Sequence, residues 1–307
     1  MEFLKLLESI RNPFLDKFFS IVTNLGSETF LIVFGLVFFW CLDKKRGYYI
    51  LSIGFIGTII CQFLKILFRI ERPWVQDPNF KPLKSAIADA GGYSFPSGHS
   101  QSSVGVFGAM ARSIGNLAIR IICIIVCVLV PFSRLYLGVH TPLDVGVGVL
   151  ISLVLIFVLY PVIDKAMEKP AVMRVILLVS LALSIGYFAF TKFYNFPSDV
   201  DAENLHHALK SASKMIGCTL GIYLAYEIDI NFIHFDTKAT LPAQILKLLI
   251  GTIPLLLIKE GLKAPLNALL DGSVAADGIR YFLLVLFAGG IWPITFKYFA
   301  KLFKKEK

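Results

Sequence analysis

Nine stretches of this chain come close to the roughly 20 apolar residues that a helix needs to cross about 30 Å of hydrocarbon. They run approximately over 28–42, 48–70, 98–114, 117–135, 141–163, 172–192, 213–231, 241–259 and 280–298. Backbone amides and carbonyls in lipid must bond within their own segment, so the pattern predicts an all-α, polytopic transmembrane helix bundle. Composition agrees: of 307 residues 56% are hydrophobic and 17% charged, against about 45 to 50% apolar in soluble domains. Mean hydropathy is +0.73. A soluble domain and a disordered chain are both excluded. So is a disulfide scaffold, because Cys41, Cys61, Cys123, Cys127 and Cys218 are odd in number and sit inside apolar runs. The 98–114 stretch is short and rich in small residues (Ser100, Ser102, Ser103, Gly105, Gly108), which suits a helix packed inside a bundle rather than one facing lipid.

Residues 1–27 mix Glu2, Lys5, Glu8, Arg11, Asp16 and Lys17 among apolar positions and lack the layout of a cleavable signal peptide. Phe3, Leu4, Leu7 and Ile10, then Phe14, Phe18, Phe19 and Val22, recur at helical spacing. They predict an amphipathic N-terminal segment lying at the membrane surface, with a tenth crossing as the alternative. The net charge of +9 is read as a topology signal rather than a nucleic-acid footprint, because Lys and Arg gather in cytoplasmic loops of membrane proteins. Lys44, Lys45, Arg46, Arg112, Arg120, Lys165, Lys169 and Arg174 follow the first, third and fifth stretches, whereas the intervening loops hold Arg72, Lys81, Lys84 and Arg134. The first set is expected on the cytoplasmic side, together with the C-terminal Lys297, Lys301, Lys304, Lys305 and Lys307.

Lys65 and Arg72 stand seven residues apart at the end of the second stretch, so a continuous helix would project both from one face until Pro73 ends it. The third opens with Pro96-Ser97-Gly98-His99, which pairs a hydroxyl, an unobstructed amide and a helix start, a combination that favours phosphate. The fourth ends at Ser133-Arg134, and His140 and Asp144 bracket the start of the fifth, with Pro142 between them. A carboxylate four residues along a helix from an imidazole fixes its tautomer and leaves the other nitrogen free to attack. Each motif alone has an ordinary reading: cations snorkelling to headgroups, a serine cap, a buried histidine satisfied by a neighbour. Antiparallel alternation of the helices brings all of them to one membrane face, the side with fewer basic loops, and that convergence favours chemistry.

Lys-x6-Arg-Pro, Pro-Ser-Gly-His and Ser-Arg-x5-His-x3-Asp, in this order over roughly residues 12–165, resemble the three signature motifs of the type 2 phosphatidic acid phosphatase superfamily. The resemblance implies a phosphatase core over 28–170, preceded by the segment 1–27 and followed by a C-terminal transmembrane extension, 171–307, of unassigned role. It further implies that Lys65, Arg72, Ser97, the Gly98 amide and Arg134 hold the phosphoryl oxygens. His140 attacks phosphorus, Asp144 orients His140, and His99 protonates the leaving oxygen and then activates water.

Fixed cations around a phosphoryl group do the work that metals do elsewhere, so neither a metal nor another cofactor is expected. His206 and His207, close to Asp199, Asp201 and Glu203, are read as part of a solvated loop in preference to a metal site. Expected partners are a lipid phosphate substrate and membrane lipids, with no nucleic acid; the oligomeric state is not legible. Trp74, Phe80, Tyr93 and Phe95 are expected either to admit a lipid tail or to form an ordinary aromatic belt. Glu227, Asp229, Lys247 and Lys259 are expected to be interfacial anchors. The preferred substrates are a polyprenyl diphosphate, phosphatidate, phosphatidylglycerophosphate or a sphingoid phosphate. A soluble phosphomonoester, as in the glucose-6-phosphatase branch that this layout also resembles, is the runner-up, and a silent scaffold or transporter the alternative outside enzymes. The expected location is a bacterial-type plasma membrane, with the site on the extracytoplasmic face.

Overall fold

A computed structural model describes residues 1–88 and 90–303; Lys304, Lys305 and Lys307 lie outside the described residues. Helices α1 (Glu2–Ser9), α2 (Pro13–Thr23) and α3 (Glu28–Val37) lead into α4 (Lys44–Phe68), followed by the short α5 (Pro73–Gln76) and α6 (Lys84–Ile87). Then come α7 (Gly98–Ser113), α8 (Leu117–Tyr136), α9 (Pro142–Glu168), α10 (Pro170–Phe193) and α11 (Ala202–Ile228). The chain closes with α12 (Leu241–Leu256), α13 (Lys263–Leu269), α14 (Ala275–Leu286) and α15 (Phe296–Phe299). No strand occurs among the described residues.

Local chemistry sets several boundaries. Asn12 caps α2, its side chain accepting from the Leu15 amide at 3.0 Å, with Pro13 as the first helical residue. Asn116 caps α8 through the Ile119 amide at 3.1 Å, and Pro142 opens α9.

Among the described residues seven segments are long and apolar enough to cross a membrane: Lys44–Gln76, Leu117–Tyr136, Pro142–Glu168, Pro170–Phe193, Ala202–Ile233, Leu241–Leu269 and Ala275–Phe299. An eighth arises only if Pro13–Gly26 and Glu28–Leu42, bent by 54°, count as one broken span. The expected nine is therefore corrected to seven or eight. The 98–114 stretch is a helix of 16 residues, roughly 24 Å long at 1.5 Å per residue, which is too short to span alone. Its buried positions, among them Ser100, Gln101, Ser103 and Gly105, place it inside the bundle.

Two compact units divide the chain. The first holds residues 1–32, 50–161 and 194–208, and the second 33–49, 162–193 and 209–307. In the first, α2 lies along the C-terminal half of α8: Phe19 packs at a tilt against Phe132 and Tyr136 at ring separations of 5.5 and 4.5 Å. A buried cluster of Phe19, Ala86, Ala90, Tyr136, Leu137 and Val139 continues that contact beneath the loop after α5. The aromatic belt expected there is not observed. Phe80, Tyr93 and Phe95 are buried and Trp74 packs against the cluster, because protein contacts remove more apolar surface than the interface could.

In the second unit the Trp40 indole donates to the Ala288 carbonyl at 2.8 Å. Asp229 is wholly buried and pairs with Lys44, Glu227 pairs with Arg174 at 2.6 Å, and Lys247 is buried against the Thr237 carbonyl at 3.2 Å. Asp229 and Lys247 are thus internal contacts rather than interfacial anchors, whereas the Glu227–Arg174 pair is partly exposed.

Candidate active site

Four helix ends of the first unit supply the polar residues singled out in the sequence. α4 stops at Phe68 because Arg69 turns left-handed, with φ of 52°. Lys65 and Arg72 therefore do not share one helical face: Lys65 belongs to the last turn of α4, and Arg72 stands past the break as the residue capping α5. Tertiary contacts bring them together instead. The Lys65 ammonium donates to the carbonyls of Tyr93 and Ser94. The Arg72 guanidinium donates to the carbonyls of Gly91, Gly92 and Val139 at 2.8, 3.0 and 3.0 Å.

Ser97 caps α7. Its Oγ accepts from the Ser100 amide at 3.4 Å and from the Ser100 hydroxyl at 2.9 Å, which leaves its own hydroxyl hydrogen uncommitted by these bonds. The Ser97 amide donates to the Asp144 carbonyl at 2.9 Å, tying the start of α7 to the start of α9. A side chain at Gly98 would meet no protein atom within 4 Å, so packing does not by itself demand glycine there. The residues around Gly26 run close to His99, whose ring would lie 3.4 Å from a Cβ on that glycine. At the end of α8 the Arg134 Nη1 donates to the Thr23 hydroxyl at 2.7 Å.

His140 sits between Arg72 and Asp144. Its Nε2 lies 3.1 Å from Arg72 Nη1. Arginine has only donors, so Nε2 must present its lone pair and the ring proton belongs to Nδ1. On that side Asp144 Oδ2 lies 3.6 Å away and the Ser94 hydroxyl 3.5 Å. Asp144 Oδ2 also accepts from Ser94 Oγ at 2.6 Å and from the Thr141 amide at 2.7 Å, which fixes the carboxylate before any ligand is considered. Burial, followed by the positive charges of Arg72, Lys65 and Arg134, holds the His140 imidazole well below its ordinary value. The result is a neutral imidazole with its Nε2 lone pair turned toward Arg72.

Lys65, Arg72, Arg134, His140 and Asp144 are each no more than 6% exposed, and Ser97 is wholly buried; Gly98 and His99 are half-buried. Ser94, Thr141 and Thr23 were not singled out by sequence. Ser94 lies three residues ahead of Ser97 with nothing to mark it, and Thr23 is 111 positions from Arg134. His207 lies against Gly91 and Gly92, its ring 3.0 Å from where a Cβ on Gly91 would stand. Among the described residues no group of three His, Cys, Asp or Glu side chains is placed to hold a metal ion.

Comparison with known proteins places this geometry in context. A family model described as "PAP2 superfamily" matches residues 46–168, and one described as "PAP2 superfamily phosphatase, transmembrane extension" matches 213–305. Sphingosine-1-phosphate phosphatase 1 of Rattus norvegicus is 26% identical over 275 residues, covering 84% of this chain and 62% of that protein. The chain thus spans about six-tenths of the length of that curated relative. Phosphatidylglycerophosphatase B of Bacillus subtilis is 30% identical over 163 residues, covering 48% of this chain and 75% of that protein. The crystal structure of a transmembrane PAP2 type phosphatidylglycerolphosphate phosphatase from Bacillus subtilis aligns at 28% identity with a TM-score of 0.46, covering 55% of this chain and 84% of that one.

Proposed function

This chain belongs to the PAP2 superfamily, and from that premise we propose that it is an integral membrane phosphatase acting on a lipid phosphate through a phosphohistidine intermediate. The observation that carries the reading is the His140 ring, neutral, with Nε2 3.1 Å from Arg72 and Nδ1 facing Asp144. In the proposed first step the Nε2 lone pair forms a bond to phosphorus as the bond from phosphorus to the lipid oxygen breaks. His99, which burial and the neighbouring cations keep neutral in the ligand-free site, takes up a proton as the bound phosphate offsets those cations and gives it to that leaving oxygen. Asp144 stabilises the positive charge that the ring acquires. Water then attacks phosphorus, His99 takes its proton, the bond from phosphorus to nitrogen breaks, and inorganic phosphate leaves.

Lys65, Arg72, Arg134, the Ser97 hydroxyl and the Gly98 amide at the start of α7 are the proposed ligands of the three equatorial oxygens. Phosphoryl transfer needs fixed positive charge there more than covalent help. With that charge supplied by side chains, the proposed mechanism runs without a divalent metal. The core would be 28–170 and the extension 171–307.

Sphingosine-1-phosphate and phosphatidylglycerophosphate, for which the two relatives are named, are both phosphomonoesters borne by lipids, which favours a lipid monoester over a polyprenyl diphosphate. Full-length protein purified in detergent is expected to release inorganic phosphate from such lipids faster than from soluble phosphomonoesters. Release from none of them would sink the reading in favour of a silent scaffold, and preference for a soluble ester would move the substrate class.

The proposed site faces away from the cytoplasm, following the basic residues Lys44, Lys45 and Arg46 at the start of α4. In a variant lacking the native thiols, Asn79→Cys should react with an impermeant maleimide in intact cells, and Lys45→Cys only after lysis. The opposite pattern inverts the topology.

A further inference from the structure

On the phosphatase reading above, we infer that the N-terminal helix α2 is part of the active site and that Thr23 is a positioning residue for Arg134. Thr23, the last residue of α2, is buried, and its hydroxyl accepts from Arg134 Nη1 at 2.7 Å. A guanidinium on a flexible stem directs its remaining donors only when some of them are held, and a fixed acceptor on one nitrogen sets the plane of the fork.

The rest of α2 and the residue before its cap are built to hold Thr23 at that spot. Arg11 donates from Nε and Nη2 to the Tyr136 carbonyl at 3.2 and 3.1 Å and from Nη1 to the Lys81 carbonyl, and its guanidinium lies 5.7 Å from the Phe80 ring. Tyr136 returns the contact, its hydroxyl donating to Asp16 at 2.7 Å. Phe19 packs on Phe132 and Tyr136, the residues two before and two after Arg134. Helix α2 is thereby anchored on both sides of Arg134, and its terminal hydroxyl lands on the guanidinium. An amphipathic segment serving only the membrane surface would require none of these contacts with α8.

Thr23→Val keeps the shape of the side chain and removes the acceptor, whereas Thr23→Ser keeps the acceptor. Loss of an outer partner of a binding group typically costs about 10- to 100-fold. Thr23→Val is expected to lower kcat/KM and weaken orthovanadate binding by about that factor, with Thr23→Ser restoring most of both. In an Arg134→Lys background the same change is expected to cost little, because the acceptor then has no fork to orient. Equal kcat/KM and vanadate affinity in the Val and Ser variants would overturn the inference while leaving the phosphatase reading intact, as would a full, additive loss in the Lys background. If Thr23→Val fails to fold, Thr23→Ala in the same cycle gives the same decision. Should the wild type hydrolyse no phosphoester, the functional reading falls, and vanadate binding across the cycle still decides the role of Thr23.

Discussion

In the first unit the buried cations Lys65 and Arg72 give their hydrogen bonds to neutral acceptors, the carbonyls of Tyr93, Ser94, Gly91, Gly92 and Val139 and the His140 ring. In the second, Lys44 rests on Asp229, Lys45 on Asp164, Arg174 on Glu227 and Arg280 on Asp277. Among the described residues no carboxylate lies within 4.0 Å of the Lys65 or Arg72 nitrogens. The difference is one of unspent charge. An ion pair is already neutral and offers an anion little, whereas cations held by carbonyl dipoles have no paired carboxylate for a ligand to displace. Lys247 is the second unit's exception, held by the Thr237 carbonyl and lying 4.3 Å from the Phe296 ring. It stands without the imidazole and the helix start that accompany Lys65 and Arg72.

The contrast breaks first at the proposed nucleophile. His140→Ala should abolish turnover while the protein stays folded and inserted, and Asp144→Asn should be milder; acid-labile phosphate trapped on the wild type and absent from His140→Ala is the measurement. Near-normal activity in His140→Ala would end the assignment.

Next come the buried cations of the first unit. Lys65→Ala or Arg134→Ala should each lower kcat on the order of 10²-fold or more, as removal of one preorganised donor does elsewhere. In the second unit Lys44→Ala should instead strip a partner from the buried Asp229, costing on the order of 3 kcal/mol of stability with kcat nearly unchanged. Replacing both, with Lys44→Met and Asp229→Leu, should recover most of that loss in a detergent unfolding assay. If Lys44→Ala matched Lys65→Ala in kcat, the two units would not differ in the way their buried charges indicate.

A subtler effect concerns pH. The folded His140 is held below the ordinary histidine value of about 6.5. Between that value and its own, the unfolded chain binds a proton that the folded chain refuses, so stability falls as pH drops through this window. The same depression keeps the ring neutral, and the acid limb of kcat/KM attributable to the nucleophile should lie below pH 6.5. Bound sulfate, which offsets the cations without bonding to Nε2, should raise the His140 value in an NMR titration of labelled histidine, read as the difference from His140→Ala. An unshifted titration would show that the cations do not act on this ring. The smallest expected effect is none: excess EDTA should leave turnover unchanged, and loss of activity restored by Mg²⁺ or Zn²⁺ would transfer the charge-neutralising role from side chains to a metal.

The helical membrane architecture was legible because hydropathy is a property of contiguous residues. So were Ser97 and Pro142 at the starts of α7 and α9, since caps and first turns are set within four residues. The three motifs indicated which polar residues would meet, and the structure gathers Lys65, Arg72, Ser97, His140 and Asp144 as their order along alternating helices required. What failed locally was the count of spans and the shared face of Lys65 and Arg72, where a left-handed Arg69 ended α4 before Pro73 could.

Tertiary structure alone decided the rest. The Ser94 hydroxyl on Asp144 bridges 50 positions, Thr23 reaches Arg134 across 111, and Arg11 reaches the Tyr136 carbonyl across 125. Nothing in the residues flanking Ser94, Thr23 or Arg11 marks them, because a hydrogen bond between distant segments is specified by the packing of whole helices. A hydropathy pattern records that a helix is buried; which donor then meets which acceptor depends on rotation and register, and those are set only when the faces interlock.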